Sequence, residues 1–343
     1  MRLRAALPVL ILLLATGCSR VPQDPVVLNG QTMGTSWAVR LAAPPDQHSV
    51  AELRSEIEEL LEQVNDEMST WREDSDISRF NRLPAGGELI VPEGFAQVLD
   101  MALQVAELTD GAYDPTVGPL VNLWGFGPPH RGQGVPEAEA ISEALERVGF
   151  QRVVFDADQR RLVQPGGLYL DFSSIAKGWG VDVVSEHLLA HGIQDFLVDI
   201  GGDIRSHGQR LDGPWRIAIE RPVPGTREIH QVIEPGTAAI VTSGTYRQFF
   251  ESGGQRFSHT IDPRTGYPVD HHAVSITVIA DNATWADAWA TALGVPEPER
   301  AYEIAVENNI AALWILEIED ELVERYTQAF APYLSPNQSR ELN

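Results

Sequence analysis

The chain has one cysteine, Cys18, and one lysine, Lys177, among its 343 residues. A disulfide needs two cysteines, so the chain cannot form one internally. If the single thiol is consumed near the N-terminus, cysteine nucleophiles and thiolate metal sites are excluded from the rest of the chain. The other 24 of the 25 basic residues are arginines.

Basic charge as a whole is also scarce. The sequence has 25 basic and 49 acidic residues, for a formal net charge of −24. This excess of negative charge opposes binding to nucleic acid phosphates, so we predict no nucleic-acid partner. A polyanionic ligand would need a local site of positive charge to overcome the repulsion from the negatively charged protein. A metal ion is one source of this positive charge.

The N-terminus has the pattern of an export signal. Arg2 and Arg4 precede the apolar run 7–15, which is too short for an ordinary membrane-spanning helix and ends in small residues. Cys18 follows Gly17, as in a bacterial lipoprotein lipobox, although the leucine usually found three places before the cysteine is absent. The alternative is a plain signal peptide with an incidental cysteine.

We therefore predict a lipoprotein signal peptide at 1–17, a lipidated Cys18 at the start of the mature protein, a tether at 18–25 and one folded domain at 26–335, with two subdomains as an alternative. The predicted location is the periplasmic side of the inner membrane, to which the lipid would anchor the protein.

Hydrophobic periodicity predicts an α+β fold with mixed or antiparallel sheets and packed helices. Apolar positions at helical spacing predict helices at 50–68, 92–108, 136–148, 174–190, 284–293 and 298–308. Short apolar and β-branched runs predict strands at 26–41 (two strands around a bend), 152–156, 161–164, 168–172, 196–200, 203–207, 215–220, 228–233, 238–242, 245–250, 273–279 and 311–316. Segment 113–134 is rich in glycine and proline and is predicted to be a long, mostly irregular loop.

Lys177 lies in segment 171–178, where a predicted strand gives way to a helix. Backbone N–H groups at Ser173 and Ser174 can favour an anion there, and a lysine one turn into the helix can meet a phosphate or a carboxylate. Asp171 is placed to accept a hydrogen bond. The alternatives are an ordinary capped surface helix and a lysine retained by compositional drift.

Two further segments carry candidate chemistry. His259 precedes the Asp262-Pro turn, where a histidine can act as a base near neutral pH, unless it is only a polar residue satisfied within a strand. Asp287 and Thr291 are four residues apart on one helix face, and their oxygens suit Mg²⁺. Asp287 is otherwise a partner of the helix dipole.

Together the segments resemble the ApbE family, the FAD:protein FMN transferases. Seven stretches run in family order, at 33–35, 68–81, 111–127, 171–178, 199–203, 259–266 and 287–291. The resemblance implies an ApbE-like (T-fold-like) architecture and an enzyme that uses Mg²⁺ to split FAD. Such an enzyme attaches FMN to a threonine of an exported acceptor, typically a redox-pump subunit, and releases AMP.

The resemblance also implies roles for individual residues. FAD contacts are expected at Met33, Trp71, Ala112, Tyr113, Asp114, Asp171, Lys177 and Ile261, and metal contacts at Ser174, Asp287 and Thr291. His259 is the candidate catalytic base, with Asp262 as its orienting or replacing partner. Two other activities remain open from the sequence: hydrolysis of FAD to FMN and AMP, and flavin binding without catalysis.

Overall fold

The computed structural model describes residues 25–45, 48–128 and 134–334. The predicted signal peptide and Cys18 lie outside the described residues. Within the described ranges, no helix is both long enough and apolar enough to cross a membrane.

The described secondary structure comprises strands and helices in runs, which confirms the α+β prediction. The strands are β1 (Val26–Thr32), β2 (Thr35–Leu41), β3 (Glu88–Ile90), β4 (Val154–Asp156), β5 (Arg161–Val163), β6 (Phe196–Ile200), β7 (Asp203–His207), β8 (Ile217–Glu220), β9 (Ile229–Ile233), β10 (Ala238–Gly244), β11 (Phe249–Ser252), β12 (Gln255–Ser258), β13 (Ala273–Ala280), β14 (Ala311–Ile318) and β15 (Glu321–Tyr326). The helices are α1 (Val50–Met68), α2 (Asp76–Asn81), α3 (Glu93–Leu108), α4 (Gly118–Leu123), α5 (Ala138–Leu145), α6 (Ala176–Ala190), α7 (Ala283–Ala292) and α8 (Pro298–Glu307).

The main sheet has eight strands in the order β1-β2-β6-β7-β10-β13-β14-β15. Every neighbouring pair in it is antiparallel. A three-stranded sheet, β3-β5-β4, and two hairpins, β8-β9 and β11-β12, accompany it. The antiparallel order brings β6 and β7 beside β10, and this places the turn before β7 close to the start of α6.

Both faces of the main sheet are covered. Along β14, Ala312, Trp314 and Leu316 face the helical core, whereas Ala311, Leu313 and Ile315 join a second core with the β8-β9 hairpin and residues near the C-terminus. This alternation follows from the two-residue period of a strand. The strand is apolar on both sides because neither side meets water.

Helix α1 illustrates how local sequence and packing agree. Ser49 caps its N-terminus, and Glu52 completes a capping box. Leu53, Ile57 and Leu61 form its buried stripe and pack on α6 and the sheet. The predicted bounds 50–68 are confirmed.

Several elements differ from the prediction. Segment 168–172 is not a strand; the Leu170 N–H donates to Asn81 Oδ1, and the Asp171 N–H donates to the Pro115 carbonyl, so side-chain and loop partners replace a strand ladder. The predicted strand 245–250 is interrupted by a turn at 245–248, between β10 and β11. Short elements, namely α2, α4, β3, β12 and β15, escaped prediction because three to six residues scarcely establish a period.

Candidate active site

The structure brings Lys177 together with two buried carboxylates. The Lys177 Nζ lies 2.6 Å from Asp203 Oδ2 and 3.5 Å from Asp287 Oδ1. The lysine side chain is 31% exposed, whereas the carboxylates are 4% and 5% exposed. One partly accessible cation therefore faces two nearly buried acids from different parts of the chain.

The three groups come from different elements that meet at one point. Lys177 is in the first turn of α6, Asp287 is on α7, and Asp203 begins β7. Gly201 and Gly202 precede Asp203 with φ of 62° and 99°, a backbone conformation that glycine adopts without steric cost. The tight turn thereby directs Asp203 back toward the helix start.

The electrostatics of the cluster leave it short of positive charge. Burial, followed by the negative charge of Asp287, raises the pKa of Asp203 above its usual range, against the opposing effect of Lys177. Burial alone would lower the pKa of Lys177, but Asp203 and Asp287 outweigh it, and the pKa is raised. The ammonium therefore stays charged near neutral pH, and additional positive charge would relieve the two acids.

Gly178 allows α6 and α7 to approach closely. A Cβ atom at this position would lie 2.3 Å from the Ala283 carbonyl oxygen, well inside the distance of ordinary contact. The Gly178 N–H also donates to Asp287 Oδ2 at 3.1 Å. The absent side chain and the backbone N–H donor of Gly178 together hold Asp287 beside Lys177.

Asp182, also on α6, anchors the start of α7. Its carboxylate accepts hydrogen bonds from the Ala283 N–H at 2.9 Å, the Thr284 N–H at 2.8 Å and the Thr284 hydroxyl at 2.6 Å. Arg205 Nη1 donates to it at 3.0 Å. The sequence prediction missed Asp182; its position four residues after Gly178, on the same helix face, was the available signal.

Tyr113 and Ser174 form a second part of the site. The Ser174 hydroxyl donates to the Tyr113 hydroxyl oxygen at 3.1 Å. Burial, together with the charges of Asp287, Asp171 and Asp114, raises the pKa of Tyr113. The phenol is therefore a neutral hydrogen-bonding group on the same side as the acids.

Asp171 and Asp114 shape the backbone around these groups. Asp171 accepts the Ser173 N–H at 2.8 Å, and burial raises its pKa. Asp114 Oδ1 accepts from Thr116, and its Oδ2 accepts the Phe150 N–H at 2.9 Å. The Asp114 carboxylate thus organises the loop that carries Tyr113, while its contact with FAD stays a prediction.

His259 lies close enough to the cluster that, besides burial, the charge of Lys177 lowers its pKa. Its Nδ1 is 3.2 Å from the Gln248 carbonyl oxygen, which can only accept, so Nδ1 carries the proton and Nε2 is the basic nitrogen. Burial, and to a smaller extent the charge of Lys177, lowers the pKa of His259 despite this hydrogen bond. The ring is therefore neutral and able to accept a proton near pH 7.

Asp262 is engaged elsewhere. Its carboxylate accepts hydrogen bonds from Arg264 Nε at 2.9 Å and Arg264 Nη2 at 2.8 Å. Asp262 and His259 both lie in the described part of the chain, and no hydrogen bond joins them. The His259 ring is instead oriented by the Gln248 carbonyl oxygen. A catalytic role for Asp262 itself stays a prediction.

The remaining predicted contacts are spread around the cluster. Met33 has φ of 48° in the β1-β2 turn, and its Cε lies over α6, 3.0 Å from where a Cβ of Gly180 would be. Ala112 is buried, Ile261 is buried in a cluster with Leu120 and Trp124, and Trp71 is 59% exposed. Their contacts with FAD stay predictions.

The donor set fits a hard divalent cation. Asp287 and Thr291 lie one turn apart on α7, and Asp203 adds a second carboxylate that the sequence prediction had not assigned to the site. Two buried carboxyl groups face one ammonium, and Mg²⁺ prefers oxygen ligands of this kind. Ser174 and Tyr113 add neutral oxygens nearby.

A lysine at a helix start, acids suited to a divalent ion and a neutral histidine are the features of a site for a phosphate-containing ligand. Comparison with known proteins gives the family. The model of the ApbE family matches residues 33–314, and the chain belongs to this family.

Relatives with established names cover nearly the whole chain. The FAD:protein FMN transferase of Vibrio cholerae is 43% identical over 325 residues, covering 94% of this chain and 97% of that protein. The protein of the same name from Escherichia coli K12 is 36% identical over 329 residues, covering 93% of each.

Solved structures agree with the fold described above. The flavin transferase ApbE from Vibrio cholerae has a TM-score of 0.85 at 42% identity, with 91% of this chain and 100% of that chain covered. The ApbE protein from Thermotoga maritima has a TM-score of 0.81 at 29% identity, with 90% and 99% covered.

Proposed function

We propose that the protein is a Mg²⁺-dependent FAD:protein FMN transferase that attaches FMN to a threonine of an exported acceptor protein and releases AMP. The observation that carries the proposal is the cluster of Lys177, Asp203 and Asp287 beside Tyr113 and Ser174. Membership of the ApbE family, whose named relatives are FAD:protein FMN transferases, supports it.

The proposed reaction is a phosphoryl transfer. The threonine Oγ forms a bond to the phosphorus of the FMN half, and the bond from that phosphorus to the oxygen bridging the two phosphates breaks. The bridging oxygen leaves on AMP, and the threonine proton passes to a base. Catalysis of such a step consists mainly of positioning and charge stabilisation.

The chain's residues divide this work. Lys177 is placed to stabilise phosphate oxygens, held by Asp203 at 2.6 Å. Asp287, Thr291 and Ser174 are the proposed holders of Mg²⁺, which would neutralise charge on the diphosphate when bound. His259 is the proposed base, because its Nε2 is unprotonated and Gln248 orients the ring.

The proposal extends to flavin contacts and to location. Tyr113, Met33 and Trp71 are proposed to contact FAD, along with Ala112, Asp114, Asp171 and Ile261. Cys18 is proposed to carry lipid that anchors the protein on the periplasmic side of the inner membrane, where an acceptor of the redox-pump subunit type would meet it. Mass spectrometry of the mature N-terminus tests the anchor, and Cys18→Ser should move the protein to the soluble fraction.

The activity is tested by incubating the protein with FAD, Mg²⁺ and an acceptor bearing an exposed threonine motif. Transfer predicts a fluorescent acceptor band that survives denaturation, and one AMP for each FMN attached. Free FMN with AMP and no band would instead indicate hydrolysis, and intact FAD would indicate binding alone; either result refutes the proposal.

A matched pair of variants ties the activity to the cluster. Asp287→Asn removes one buried carboxylate at the proposed metal site and should lose Mg²⁺-dependent transfer. Asp281→Asn, an exposed position just before the same helix, removes an identical charge outside the cluster and should retain it. Equal activity in the two variants would contradict the assignment.

A further inference from the structure

A group of histidines lies at the end of α6 opposite to Lys177. His187 lies in the last turn of α6 and His191 caps its C-terminus, while His48 precedes α1 and Glu56 lies in the second turn of α1. Because α6 has 15 residues, this group is about 20 Å along the helix from Lys177. It is therefore separate from the cluster described above.

The side chains converge on one point. Ligand atoms of His48, Glu56 and His191 all lie within 4.8 Å of one another. The His191 Nε2 is 3.7 Å from Glu56 Oε2, and the His48 and His191 ring centroids are 4.3 Å apart. Tetrahedral ligands around Zn²⁺, at about 2.0–2.1 Å from the metal, stand roughly 3.3 Å from each other, so shifts of about 1 Å would complete the site.

Hydrogen bonds already orient two of these ligands. His191 Nδ1 lies 2.8 Å from the His187 carbonyl oxygen, which fixes the proton on Nδ1 and leaves the Nε2 lone pair facing Glu56. His187 Nε2 lies 2.9 Å from Glu56 Oε2 and can donate to it. Outer partners of this type, a backbone carbonyl behind a histidine and a donor behind a carboxylate, are typical of protein metal sites.

The ligand chemistry selects the kind of metal. Two imidazole nitrogens and one carboxylate suit Zn²⁺ and related borderline ions, whereas Mg²⁺ and Ca²⁺ prefer oxygen ligands. The carbonyl end of α6 also favours a cation. All four side chains are half-buried, so an ion can enter from solvent.

We propose that His48, Glu56 and His191 form a second metal site, for a divalent ion of the Zn²⁺ class, with His187 positioning Glu56. Water would complete the coordination. The bound ion would join the start of α1 to the end of α6, the helix that presents Lys177 at its other end. The site is independent of the proposed transferase activity.

Zinc binding to tag-free, chelator-treated protein, measured by calorimetry in saturating Mg²⁺, tests this proposal. We expect one equivalent bound in the micromolar range or tighter. We also expect the melting temperature to rise by about 4 °C at zinc concentrations 100 times the Kd. Co²⁺ in place of Zn²⁺ should give the visible absorption of a tetrahedral site.

Variants locate the binding. Removing an outer partner of a metal site typically weakens binding about 10–100-fold, which is the loss expected for His187→Ala, and His48→Ala or His191→Ala should lose more. His272→Ala, a histidine outside the group, and Asp287→Asn, at the other site, should bind zinc as the wild type does. Flavin transfer with Mg²⁺ should continue in His48→Ala.

Two outcomes overturn the proposal. One is wild-type protein that binds no zinc in the micromolar range. The other is binding that persists in both His48→Ala and His191→Ala or is lost in Asp287→Asn, which would place the zinc at the carboxylates. Because His48 precedes α1 rather than lying within a helix, His48→Ala gives a decisive reading even if His191→Ala folds poorly.

Discussion

Gly178→Ala perturbs the active site without removing any of its charged groups. The added Cβ would lie 2.3 Å from the Ala283 carbonyl oxygen and 2.8 Å from Thr284 Cα. Both are backbone atoms of α7, so no side chain can rotate away. The start of α7, and Asp287 with it, must withdraw from α6 by about 1 Å to restore ordinary contact.

This displacement should lower both the stability of the protein and its catalytic rate. Overpacking of a buried contact costs about 1–3 kcal/mol, and the better helix propensity of alanine returns up to about 1 kcal/mol. With the full propensity gain, we therefore expect the free energy of unfolding to fall by up to about 2 kcal/mol. A 1 Å displacement of a reacting group can cost about 100-fold in rate, so kcat should fall on that scale while the protein stays folded.

Gly180→Ala is the matched control on the same helix. Its added Cβ would meet Met33 Cε at 3.0 Å and Ile200 Cδ1 at 3.2 Å, which are side-chain ends that can move. Urea unfolding and the rate of flavin transfer at saturating FAD are measured for both variants. Wild-type kcat in Gly178→Ala, or equal losses in the two variants, would refute the argument that this helix contact positions Asp287.

Three further substitutions probe other parts of the site. Lys177→Arg should lower the transfer rate markedly, because a planar guanidinium cannot replace a compact ammonium between Asp203 and Asp287; unchanged kinetics would return the lone lysine to compositional drift. Asp182→Asn should cost about 1–3 kcal/mol in urea unfolding, because an amide cannot accept all the N–H and hydroxyl bonds at the start of α7, and an unchanged midpoint would contradict its anchoring role. His259→Ala should retain FAD binding and lose about 10²–10⁴ in transfer rate, and near-normal flavinylation would exclude it as the base. Because burial lowers the pKa of His259, its contribution to wild-type activity should be lost as the pH falls below the usual imidazole pKa of about 6.5, and the variant should lack this part of the pH dependence.

The helices show how far local sequence determines the fold. The predicted bounds 50–68 coincide with α1, and the predictions at 92–108, 174–190, 284–293 and 298–308 each differ from α3, α6, α7 and α8 by two residues or fewer at either end. These helices have long apolar stripes, and α1 has a capping box as well. The apolar stripe can be recognised in the sequence because a helix repeats every 3.6 residues.

Segment 168–172 shows where local reasoning fails. Its alternation of Leu168, Leu170 and Phe172 is that of a strand, and all three are buried. The backbone, however, bonds to the Asn81 side chain and to the Pro115 carbonyl, and neither partner can be identified from the segment itself. Alternation predicts burial, while the hydrogen-bond partner decides whether the segment is a strand.

Some residues of the active site were predicted from the sequence, and others were identified only in the structure. The sequence singled out Lys177, His259 and the Asp287 helix because each has a local pattern or an unusual composition. The sequence prediction did not identify Asp203 as the ion-pair partner of Lys177, and it did not identify Asp182. It also paired His259 with Asp262, whereas the carboxylate binds Arg264 and the Gln248 carbonyl orients the histidine.

The sequence by itself determined the family, the class of fold and most of the residues gathered around the cluster, because motifs, periodicity and charge are properties of short stretches. Only the tertiary structure decided which charged groups lie close enough to interact. Lys177, Asp203 and Asp287 are separated by 26 and 84 residues along the chain, and they meet because an antiparallel sheet and the contact at Gly178 bring their elements together. Electrostatic coupling depends on distance in space, and no local pattern records it.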